Sequence, residues 1–247
     1  MVLIIRNIVL FFFLVFSFPI SAGSDTEGRI IAEGGRLYDK WWEEYDLNKP
    51  STTNPAYPAS GRKKGAATWR CKECHGWDYR GRRGAYGKGS HFTGIKGIDA
   101  YAGREPSLIV NILKNDLHNF DEVMLDYGLL RVAQFVSKGQ VDISPYIKKG
   151  TKKVNGDIRR GKQVFKKHCV DCHGSDGRER NFKDDNDPEY VGTVAIKNPW
   201  EAMHKLRNGH PGAFVMGDPM PSMILEIGLQ SQIDLLAYLQ TLMQQHH

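Results

Sequence analysis

The chain has 247 residues, 40 % apolar and 25 % charged, an ordinary balance for a soluble protein with room for two domains that each bury a core. Its formal net charge of +6 falls to about 5 without the N-terminal segment that carries Arg6, and it is too modest to imply a nucleic-acid partner.

At the N-terminus, Arg6 precedes an apolar run from Ile8 to Ile20, and Ser21-Ala22-Gly23 supplies small residues for cleavage. This pattern predicts an export signal over residues 1–22. The alternative is an uncleaved membrane anchor that uses Val2 to Ile20. Both place the folded part outside the cytoplasm, in the periplasm, and a membrane is involved only if the segment stays attached.

The first unit, 23–150, opens with a helix expected over Arg29 to Tyr45, where Leu37, Tyr38 and Trp41 share one face. Lys49 to Gly65 reads as an irregular loop. From Gly61 to Gly97, ten Lys or Arg face only Glu73 and Asp78. Such a Gly-rich stretch predicts a wrapping loop whose charge steers an acidic partner or meets carboxylates of a bound group. Pro106 to Asn115 and Leu129 to Ser137 have helical spacing, and their apolar faces are expected to pack on a helix or a cofactor. Val141 to Gly156, with Lys148, Lys149, Lys152 and Lys153, reads as a linker with the boundary near Gly150.

In the second unit, 151–247, Asp157 to His168 predicts a helix that runs into Cys169. Asn198-Pro199-Trp200-Glu201 starts another, which stops at Gly209. A last helix is expected from Ser231 to Met243. Asp184, Asp185, Asp187 and Glu189 read as a solvated acidic loop, and no catalytic acid or base stands out.

One pentapeptide occurs twice: Cys71-Lys72-Glu73-Cys74-His75 and Cys169-Val170-Asp171-Cys172-His173, together using all four cysteines. In C-x-x-C-H the two thiols add to the vinyl groups of a haem and the His ligates its iron. Two copies predict two covalent haem c groups, held by Cys71, Cys74, Cys169 and Cys172, with His75 and His173 as proximal ligands. A paired zinc site would need the two sets to fold on each other, and a thioredoxin-like pair would need a βαβ context that is missing.

The order helix, C-x-x-C-H, loop, helix, ligand loop, helix is repeated. On these residues both halves resemble class I cytochrome c domains. The resemblance implies an all-α fold of two tandem domains, each a few helices wrapped around a covalent haem with long irregular loops. In that family the first and last helices cross through a Gly and aromatics, and Gly161, Phe165 and Tyr238 match. The first half departs, because Tyr38 lies 33 residues before Cys71 whereas Phe165 lies 4 before Cys169, so its helix pairing stays open.

Met220, followed by Pro221, resembles the family's axial Met-Pro and is the expected sixth ligand of the second haem. Met216, Met223 and His210 are the alternatives in that stretch. The first half has no Met-Pro, and the counterpart expected there is His118, 17 residues before Phe135 where Met220 lies 18 before Tyr238, with Met124 as the alternative. A bis-His first haem and a His/Met second haem make the second the more oxidising.

The expected function is that of an electron carrier in a respiratory chain, passing electrons between redox partner proteins such as an oxidoreductase complex, without catalysis of its own. The alternative is a catalytic dihaem protein of peroxidase or thiosulfate-oxidising type, with an open or displaceable ligand on the first haem.

Overall fold

A computed structural model describes residues 22–212 and 220–242. The expected export segment up to Ser21 lies outside the described residues, as do Met216 and Met243. Nine α-helices form among the described residues: α1 (Ala22–Glu44), α2 (Cys71–His75), α3 (Pro106–Leu113), α4 (Asp126–Lys138), α5 (Ile158–His168), α6 (Val170–His173), α7 (Val191–Lys197), α8 (Pro199–Asn208) and α9 (Leu229–Leu242). No strand accompanies them there, only isolated bridges such as Gly81 with Lys96. The fold is all-α.

Two apolar clusters organise the chain. Leu37, Tyr38, Trp41, Ile109, Leu129 and Phe135 centre the first, and Phe165, Leu206, Ile233, Leu236 and Tyr238 the second. In each, a first helix crosses a last helix at a glycine. A Cβ on Gly34 of α1 would lie 2.1 Å from the Arg131 carbonyl oxygen and 2.7 Å from Cβ of Phe135 on α4. On Gly161 of α5 it would lie 2.0 Å from the Asp234 carbonyl and 2.8 Å from Cβ of Tyr238 on α9. Only glycine admits that approach. One turn further along, Tyr38 meets Phe135 at 5.4 Å between ring centres, and Phe165 meets Tyr238 at 5.5 Å. The same crossing is thus built twice, and the helix pairing left open for the first half is α1 with α4.

Local sequence explains most boundaries. Asp157 caps α5 by accepting from the Arg160 amide, and Asn198 caps α8 by accepting from the Glu201 amide, with Pro199 in the first turn. Gly209, at φ 85°, ends α8 in a conformation that favours glycine. The α7 helix was not expected, because Val191, Thr193, Val194 and Ile196 have weak helix propensity. Tertiary contact settles it, since Ala195 is fully buried in the second cluster.

The segment read as a linker is folded. Ile143 and Val154 are buried in the second cluster, and a bridge joins Ile147 to Val154. Gln240 of α9 accepts from the Val154 amide at 2.9 Å and donates to the Lys152 and Ala195 carbonyls. The lysines that suggested a free linker are exposed, while these two apolar residues face inward.

Candidate haem sites

The two C-x-x-C-H segments have one local geometry. Each forms a short helix, α2 or α6, closed by a glycine of positive φ, Gly76 at 81° and Gly174 at 72°. The Gly76 amide donates to Lys72 and the Gly174 amide to Val170, both at 2.9 Å. Beyond the turn, the chain returns to bond the histidine carbonyl, from Gly81 to His75 at 2.8 Å and from Glu179 to His173 at 3.0 Å. Each motif therefore projects two thiols and an imidazole from one tight turn.

Burial pushes the thiols of Cys71 and Cys74 up to about 12 and that of Cys169 to about 11. A dithiol redox pair needs the opposite shift, toward thiolate. No group of three or more His, Cys, Asp or Glu among the described residues converges as a protein-held zinc ion would need. The donor set fits a haem instead.

At the first site the wrapping loop orients His75. Gly81 pairs with Lys96 where a Cβ would meet the Ile95 carbonyl at 2.5 Å, and this places the Lys96 carbonyl 2.8 Å from His75 Nδ1. Nδ1 carries the proton and donates, which leaves Nε2 for a metal. Burial lowers the His75 pKa to about 4, so the ring is neutral, as a ligand must be.

His118 lies close by. Its ring centre is 6.4 Å from that of His75, with the planes 26° apart. Its Nδ1 is 3.2 Å from Asn115 Oδ1, and the Ile112 backbone also bonds the ring. If one nitrogen of each ring were to hold the same iron at about 2 Å, the ring centres would stand roughly 6 Å apart. Met124, the alternative, is buried in the first cluster, and a Cβ on Gly128 would lie 2.9 Å from its sulfur. That sulfur packs between α4 and Tyr45. A cavity of about 1010 Å³ is lined by Arg82, Arg104, Leu108 and Ile112, and by Lys96 and Asn115, which contact His75 and His118. An apolar floor with a cationic rim suits a macrocycle that bears carboxylates. It also explains why Leu108 of α3 is exposed while Ile109 is buried in the cluster.

At the second site, His173 Nδ1 is buried without a hydrogen-bond partner, and Phe182 stands edge-on to its ring at 6.1 Å. Arg180 donates to the Cys172 carbonyl at 3.0 Å. Met220 is half-buried, and its carbonyl accepts from His210. Met223 is buried in the second cluster, with its amide bonded to Leu206, and His210 is half-buried with Nδ1 beside the Pro211 carbonyl.

One histidine that the sequence did not single out is His204 of α8, which is 1 % exposed at the contact between the two units. A lone His on a helix gives no signal of that role.

No curated protein and no solved structure matches this chain. The family model described as Cytochrome c matches residues 158–243. That span starts with α5 and includes α6, its Cys172 and His173, and the crossing of α5 with α9. Residues 158–243 therefore form a cytochrome c domain.

Proposed function

We infer that the chain is a dihaem electron carrier, in which residues 23–150 form a second haem domain beside the one in 151–247. The observation that carries this reading is the duplicated architecture: the Gly34 crossing of α1 with α4 repeats the Gly161 crossing of α5 with α9, each next to a C-x-x-C-H turn. Cys71 and Cys74 hold one group, and Cys169 and Cys172 the other. His75 and His118 would serve the first site, and His173 and Met220 the second. Bound there, each haem iron supplies a one-electron ferrous/ferric couple. A thioether favours the ferrous state, so the second site is the more oxidising and holds electrons preferentially. The export pattern of residues 1–22 supports a periplasmic location, where redox proteins are the partners, and the cations near the first site favour acidic ones.

The test is a haem count and a spectrum of the purified holoprotein. Two haems per chain, both low-spin when oxidised, are expected. His118→Ala should convert one haem to high-spin, and Met220→Ala should remove the sulfur-to-iron charge-transfer band. One haem per chain overturns the dihaem reading, and a native high-spin haem that binds cyanide favours the catalytic alternative.

A further inference from the structure

The α8 helix belongs to the second unit, yet His204, Lys205 and Asn208 on it are engaged by the first. In a free-standing domain this polar face would lie in water. Here His204 and Asn208 are each 1 % exposed. His204 Nε2 is 2.9 Å from the Gly35 carbonyl of α1, so Nε2 carries the proton and donates. Nδ1 then accepts from the Tyr79 hydroxyl at 3.0 Å. In this orientation the neutral ring has a partner at each nitrogen. Trp77, Phe135 and Tyr38 surround it, with ring centres 4.8, 5.5 and 5.7 Å away.

The neighbouring side chains repeat the pattern. Lys205 Nζ reaches Asp39 of α1 at 3.1 Å, and the buried Asp39 also pairs with Arg70. Arg36 donates to the Asn208 carbonyl at 2.9 Å. Gly35 permits the approach, since a Cβ there would lie 2.3 Å from Asn208 Cγ. Of the groups that α8 engages, Trp77 and Tyr79 follow the first C-x-x-C-H, and Arg70, just before it, shares Asp39 with Lys205. The second unit therefore grips the segment that carries the first attachment site.

Domains joined by a modest contact move relative to each other by default. A buried contact in which charges and polar atoms are paired specifies one arrangement, because sliding would leave them unpaired in a dry interface. We propose that His204, Lys205 and Asn208 are positioning residues that lock the two units into one rigid body, so that both attachment sites keep a single separation and electron exchange between them needs no domain motion. This rests on reading both motifs as haem sites.

The test labels exposed positions, one in each unit, by Lys88→Cys and Lys166→Cys in the reduced holoprotein, and measures their separation by pulsed dipolar spectroscopy. A single narrow distance is expected for the native interface. With His204→Phe and Lys205→Met added, the distribution should broaden at least twofold. A broad distribution in the native protein, or a double variant as narrow as the native, overturns the proposal. If the double variant does not accumulate, the native distribution alone decides. Haem per chain on the same sample separates the two readings, since one haem removes the dihaem reading and leaves the distance test intact.

Discussion

His204 is held neutral by its surroundings. Burial pushes its pKa down to about 4, and Lys205 and Arg207 add to this against the opposing pull of Asp39 and the Gly35 carbonyl. Tyr79 completes the set of groups that face it. The unfolded chain takes up this proton near pH 6.5, the folded chain only near 4, so the unfolded state binds more protons between those values. The stability from His204 is therefore complete above pH 6.5 and is lost as the pH falls toward 4. Asp39 responds in a lower window. Burial alone would raise it, but Lys205 and Arg70 hold it well below the carboxylate range, so its contribution goes only below about pH 4. Denaturant unfolding of the native protein should show about 2 kcal/mol less stability at pH 5 than at pH 7 from His204. His204→Gln should remove that increment, and equal pH slopes in the two proteins would contradict the buried neutral ring. Little of this was legible beforehand, because the sequence shows His204 only as a polar residue on an amphipathic helix. The cysteines and the two adjacent histidines were legible because a covalent attachment needs its residues consecutive. His118 was reachable through its spacing from Phe135, whereas its approach to His75 depends on how the loop through Asn115 folds.

Among the elements, the strongly periodic helices were predictable and the crossings only half so. Gly161, Phe165 and Tyr238 could be matched because α5 runs directly into its motif. In the first unit a long loop separates Tyr38 from Cys71, and the Gly34 crossing was hidden by that insertion. The structure gives both crossings the same contact, which sets up a paired experiment. Gly34→Val should force α1 off the Arg131 carbonyl, and Gly161→Val should force α5 off the Asp234 carbonyl. Each displacement also loosens an aromatic pair, Tyr38 with Phe135 or Phe165 with Tyr238. Each substitution should cost about 3 kcal/mol in chemical denaturation, as severe overpacking does. A cost below about 1 kcal/mol at Gly34, beside a full cost at Gly161, would mean that the first crossing is not a copy of the second. Composition misread the segment from Val141 to Gly156 for a different reason. Its lysines dominate the residue count, but Ile143 and Val154 decide where the backbone lies.

Across the whole molecule, these contacts decide whether the halves behave as two proteins or one. The second unit takes Ile143 and Val154 from the stretch between them, and its α8 rests on α1 and on the turn that follows the first motif. Damage at the first attachment site should therefore reach the second. If both motifs hold haem, as proposed, Cys71→Ala with Cys74→Ala removes the one attached there. The segment from Arg70 to Tyr79 then loses its anchor, and with it the partner groups that hold His204 and Lys205. Independent domains would leave the melting of the remaining haem unchanged, because perturbations without shared contacts are additive. With the interface described here, thermal unfolding followed at the haem of residues 158–243 should shift down by about 2 to 8 °C, as a loss of about one to two kcal/mol does in a chain of this size. The native holoprotein should meanwhile melt in one transition at both haems. Two separated native transitions, with an unshifted second haem in the variant, would show that α8 touches the first unit without depending on it.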